Sequence, residues 1–299
     1  MSHPSAALAG SGPEVGLLAW TFEPAVVVPV IAAAALYLRG WSRVSRRMPE
    51  RFGARHPVIF AAGLASVVLA LCSPLDALAH DLALAHMIQH LLLMVVAPPL
   101  LWMSAPVAPI LSGLPKPIRR AVVLALAAAP LRMLTRLLAD PRVSWAAFVL
   151  VFWGWHLPAL YDRALRVDAW HHVQHLCFFS SAVLFWRPVI LSWPARLVWP
   201  RWAMLPYVVL AELQNAVMAA ILTFADRVLY AAYDAVPRRW PLSALEDQSI
   251  AGVIMWVPGS LPFLLAALWL VMTVIVAPPA ARATRSRTPS RRCGTATSP

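Results

Sequence analysis

Apolar residues run in blocks of about twenty along this chain, and polar residues gather in the short intervals between them. A helical run of that length crosses a ~30 Å hydrocarbon core. The pattern predicts an all-α integral membrane protein with seven spans, near Trp20–Leu38, Val58–Pro74, Leu82–Trp102, Val143–Leu160, Trp170–Ile190, Trp202–Ala225 and Ile250–Val276. The stretch Ile118–Leu138 is short in apolar residues, interrupted by Pro130 and followed by basic side chains. It reads as one amphipathic helix lying in the interface. The membrane domain thus covers residues 1–276, and residues 277–299 form a basic tail that reads as disordered.

Charge gives these spans a direction. Arg39, Arg43, Arg46, Arg47, Arg51 and Arg55 follow the first span, and Lys116, Arg119, Arg120, Arg132, Arg136 and Arg142 follow the third. Arg187, Arg196 and Arg201 follow the fifth, and Arg282, Arg285, Arg287, Arg291 and Arg292 lie in the tail. With seven spans all of these fall on one side, leaving Arg163, Arg166, Arg227, Arg238 and Arg239 on the other. Basic loops stay cytoplasmic, so the N-terminus is expected outside and the C-terminus in the cytoplasm. Treating Ile118–Leu138 as an eighth span would split the charge between both faces.

Composition agrees. The chain is 61% hydrophobic and 13% charged, with a mean hydropathy of +0.69, where soluble domains carry about 25% charged residues. The net charge of +12 reports loop orientation rather than nucleic acid. Three cysteines make no disulfide framework. No basic residue precedes Arg39, so the first apolar run lacks a signal-peptide n-region and is expected to be retained.

Orientation then sorts the histidines. His80, His86, His90, His156, His171, His172 and His175 all fall at or beside the outer ends of spans. Ionisable groups at membrane depth are costly and mark function. The third span carries His86-Met87-Ile88-Gln89-His90-Leu91 and the fifth carries His171-His172-Val173-Gln174-His175-Leu176, both H-x-x-Q-H-L. Residues four apart share a helix face, so each span offers two imidazoles to one point at similar depth. His86, His90, His171 and His175 are the expected core of a metal site, with His80, His156 and His172 supplementary. Gln89, Gln174, Asp76 and Asp81 are candidates for orienting the ligands. Met87 and Met94 read as core packing. Glu212, Gln214 and Asn215 put a polar patch in the sixth span, and Asp247 with Gln248 opens the seventh, where Asp247 suits an N-cap.

Imidazole suits copper and zinc. The residues alone leave three readings open. One is a protein that holds and delivers copper at the outer face; another is a zinc-dependent intramembrane hydrolase using Ser73 or Asp76; the last is a b-type haem protein. No Cys-x-x-Cys or phosphate-binding glycine loop occurs in a plausible context.

Several stretches taken together carry a resemblance. They are Ser73-Pro74-Leu75-Asp76, His86 to Leu92 with Ala97-Pro98-Pro99-Leu100-Leu101, Trp155-His156-Leu157-Pro158-Ala159-Leu160-Tyr161-Asp162, His171 to His175, Leu184-Phe185-Trp186-Arg187-Pro188, and Asp247-Gln248 with Ala251 to Trp256. Over about residues 15 to 276 the chain resembles the multi-span CtaG-type cytochrome c oxidase assembly factors, associated with caa-type oxidases. The resemblance implies a non-enzymatic role in oxidase maturation at a bacterial plasma membrane. It also implies copper as cargo and an oxidase subunit as partner, beside membrane lipid. It carries over His86, His90, His156, His171 and His175, with Asp76 and His80 beside them.

Overall fold

A computed structural model describes residues 20–195, 198–237 and 241–275. The N-terminal arm before Trp20 and the basic tail lie outside the described residues. Every regular element among the described residues is helical. The chain order is α1 (Pro24–Arg47), α2 (Arg55–Leu71), α3 (Pro74–Ala79), α4 (Ala83–Leu91), a π-helical turn (Leu92–Val96), α5 (Ala97–Met103), α6 (Val107–Gly113), α7 (Lys116–Ala127), α8 (Ala129–Ala139), α9 (Pro141–His156), α10 (Pro158–Arg166), α11 (Asp168–Ile190), α12 (Met204–Thr223), α13 (Ala231–Asp234) and α14 (Ala244–Ile275).

Five rods are long and apolar enough to cross a membrane: Pro24–Arg47, Ala83–Met103, Asp168–Ile190, Arg201–Thr223 and Ala244–Ile275. The remaining two predicted spans correspond to α2, with 17 residues, and α9, with 16. Each is about 25 Å long at 1.5 Å per residue. Two bent pairs, α7 with α8 and α9 with α10, bring the candidates to seven if each counts as one span. Leu150, Leu213, Leu265 and Val28 lie exposed on the outer faces, while Phe148, Phe185, Trp186 and Phe263 fill the centre. Such a surface suits the apolar interior of a membrane.

The expected single interfacial helix over Ile118–Leu138 is two helices, α7 and α8, bent by 76°. Pro130 lacks an N–H and its ring collides with the preceding turn, so Ala128 turns extended (φ −61°, ψ 141°) and ends α7. Proline shapes α9 as well. Pro158 pushes Leu157 out of the helical region (φ −63°, ψ 127°) and stops α9 at His156. It then starts α10, which folds back at 73°.

Proline interrupts the hydrogen-bond ladder of the third span without cutting it. Pro98 cannot donate to the carbonyl of Met94. The π-helical turn forms there, and Trp186 supplies the missing donor, its Nε1–H reaching the Met94 oxygen at 2.9 Å. At one end of the bundle α1 is held to α6 by close backbone contact: Gly40 lies against the Pro109 carbonyl and Gly113 against that of Leu36.

Candidate metal centre

At the other end of the bundle α4 and α11 both begin three residues before a histidine, His86 and His171. The i, i+4 spacing then stacks His90 behind His86 and His175 behind His171, with ring centroids 4.2 Å apart in each pair. The start of α4 is set from a distance. Asp247, on the first turn of α14, accepts the N–H groups of Ala83 (2.8 Å) and Leu84 (3.0 Å). The sequence suggests an N-cap for its own helix; the carboxylate instead caps a helix 164 residues away.

His86, His171 and His175 converge, each offering a ring nitrogen within 4.8 Å of the other two. Their relative exposures are 0%, 4% and 5%, and Nε2 of each is buried with no hydrogen-bond partner among the described residues. Such orphaned nitrogens are rare in protein interiors and call for a ligand. The tautomer of His86 follows from its neighbours. Burial holds the Tyr233 phenol well above its ordinary pKa, so it stays protonated. Its O–H donates to the Ala79 carbonyl (2.9 Å), so its oxygen accepts from His86 Nδ1–H at 2.9 Å. The lone pair of His86 therefore sits on Nε2. Tyr161 places a second hydroxyl 3.2 Å from the same Nδ1.

The other expected residues divide. His90 lies beside the trio, 5.6 Å from His175 between centroids, with both ring nitrogens buried and unpartnered. His80 packs its ring on His171 at 5.0 Å. His156 stands further in, its Nδ1–H donating to the Phe152 carbonyl at 2.7 Å, which leaves Nε2 without a partner. His172 points elsewhere. One residue beyond His171 is about 100° around a helix, and its Nε2 meets Glu23, just before α1, at 3.2 Å, with more than half its side chain exposed. Gln89 binds the Ala70 carbonyl (2.8 Å) and Asp76 Oδ1 (2.6 Å), tying α4 to α2 and α3. Gln174 is buried with its amide unpartnered. Asp81 is half-buried in the turn after α3. Ser73 Oγ donates to the Leu69 carbonyl and accepts from Leu75 N–H, so it serves as the cap of α3 rather than as a free nucleophile.

The short helices α3, α10 and α13 roof this site. Asp162 accepts from Ala232 N–H (3.1 Å) and ties α10 to α13, Tyr233 O–H donates to the Ala79 carbonyl (2.9 Å) and ties α13 to α3, and Gln248 accepts from Leu229 N–H (2.7 Å) in the loop before α13. Tyr161 and Tyr230 stack in this roof at 3.7 Å. The Tyr230-x-x-Tyr233 pair before the last span was the available signal for it. From the side, a groove of about 680 Å³ reaches the centre at His175. It is lined by Pro29, Phe60 and Leu176 along its length and by Glu23, Asp76 and His172 at its polar end.

The family model described as cytochrome c oxidase caa3 assembly factor aligns with residues 35–276. No curated protein and no solved structure matches.

Proposed function

Since this chain belongs to the cytochrome c oxidase caa3 assembly factor family, we propose that it carries copper on His86, His171 and His175 and passes it to an oxidase subunit. The observation behind this reading is the convergence of three ring nitrogens within 4.8 Å in a buried pocket where their Nε2 atoms have no other partner. Neutral imidazoles without a carboxylate among them suit copper in a low coordination number. Tyr233 fixes the ligand tautomer of His86, the service that hydrogen bonds to bound histidines usually perform.

In this reading the chain crosses the bacterial plasma membrane seven times. The N-terminus is outside and the C-terminus cytoplasmic, with the histidine end outward, because the basic loops gather at the opposite end. The groove along α1, α2, α5 and α11 opens sideways toward lipid and gives a membrane-embedded partner access to His175. The protein acts by holding and releasing an ion, without catalysis.

The test is metal content of the protein purified in mild detergent after copper loading, together with an absorption spectrum. The expected result is bound copper without a Soret band, with the equivalent held by His86, His171 and His175 lost in His171→Ala and folding retained. A strain lacking the gene should lose caa3 oxidase activity and regain part of it with added copper. Stoichiometric zinc with no copper uptake, or a Soret band, would overturn the copper assignment.

A further inference from the structure

Met87, His90 and Met94 lie three and seven positions apart and so share one stripe of the third span. With His156, Gln214 and Met255 they line a cavity of about 30 Å³ between α4, α9, α12 and α14. A water-sized hole needs only ~15 Å³, so the cavity has room for one water or one ion. Its lining contains no carboxylate. It does contain two imidazoles with unpartnered nitrogens, His90 at both and His156 at Nε2, and a Gln214 amide with neither atom satisfied. The thioethers of Met87, Met94 and Met255 complete it, all within the buried core.

We propose that this cavity is a second metal site, for a soft monovalent cation of the Cu(I) class, held by His90, His156, Met87 and Met94. Neutral imidazole and thioether donors select Cu(I) over zinc, magnesium or calcium. Water alone would satisfy the imidazoles and the amide but gives no reason for three sulfurs around so small a space. His90 joins the two sites: its ring stands 4.2 Å from that of His86 and also lines the cavity. Copper stays Cu(I) at both positions, so its passage needs no electron donor or acceptor. The inference deepens the copper reading of the outer centre and rests on it.

The experiment is anaerobic titration of the full-length protein in detergent with Cu(I) against a chromophoric chelator, followed by X-ray absorption at the copper edge. Wild type should bind two equivalents with sulfur among the scatterers. Met87→Leu with Met94→Leu conserves volume and should bind one equivalent, without sulfur. His171→Ala should keep one equivalent, with sulfur. Selenomethionine-labelled wild type should show a copper–selenium scatterer and so tests the site without any substitution. One equivalent free of sulfur and selenium, lost in His171→Ala, would overturn the inner site and leave the outer one standing. One sulfur-bound equivalent indifferent to His171→Ala would keep the inner site and overturn the outer. No bound copper in any form would overturn both, leaving water as the cavity's occupant.

Discussion

Tyr233 accepts a 2.9 Å hydrogen bond from Nδ1 of His86 across 147 residues of sequence. The phenol belongs to a four-residue helix in the loop before the last span, and the imidazole to the first turn of the third. One bond therefore both closes the roof and decides which nitrogen of His86 is free.

Tyr233→Phe removes that acceptor and the bond to Ala79, leaving Tyr161 as the remaining hydroxyl near Nδ1. Loss of a partner that orients a metal ligand costs about 10- to 100-fold in affinity. Copper affinity should fall by that factor, with ~1–3 kcal/mol of stability lost to the unsatisfied imidazole N–H. Chelator competition and thermal unfolding in detergent check the two separately. Unchanged affinity would show that Tyr161 alone suffices.

Asp247→Ala leaves the first two N–H groups of α4 without acceptors in a buried place. A lost cap costs about 0.5–2 kcal/mol. Asp247→Asn keeps one accepting oxygen and should lose less. The measured order of melting temperature should be wild type, then Asn, then Ala. Equal melting for all three would mean that α4 finds its start by other means.

Burial raises the pKa of Asp76 above the ordinary carboxylate range, against the lowering effect of its hydrogen bond from Gln89. A group whose folded pKa is raised favours the folded state below its unfolded pKa, and that benefit disappears as pH climbs through the folded value. The contribution of Asp76 to stability should therefore decline with rising pH from the acidic range upward. Asp76→Asn, which keeps an oxygen for Gln89, should gain stability relative to wild type as pH rises. Melting curves from pH 4 to 8 provide the comparison.

Two of the helix glycines, Gly40 and Gly154, should behave oppositely. A methyl at Gly40 collides with the Pro109 carbonyl, whereas one at Gly154 meets nothing within 4 Å. Gly40→Ala should cost ~1–3 kcal/mol through forced separation of α1 and α6. Gly154→Ala should be neutral or gain up to ~1 kcal/mol from the helix preference of alanine. A thermal-shift assay in detergent ranks them, and a harmless Gly40→Ala would show that α6 is loosely seated.

Much of this architecture is written locally. Hydrophobic run length located every long helix, and the repeated H-x-x-Q-H-L put two imidazoles on one face of each of α4 and α11, because helical periodicity is a property of neighbouring residues. Pro130 and Pro158 act locally too, and Pro130 marks an interruption, yet neither gives the bend that follows, since an apolar run reads the same whether its helix continues or bends. Only the tertiary structure decided which imidazoles converge. His172 turned to Glu23, His90 fell between the trio and an inner cavity, and Asp247 capped a helix other than its own. The short helices α3, α10 and α13 have too few turns to leave a periodic trace, and their places depend on contacts across 70 or more residues such as Asp162 with Ala232 and Tyr233 with Ala79. A helix can be read from residues three and four apart. A site closed by such distant contacts exists only once packing has brought them together.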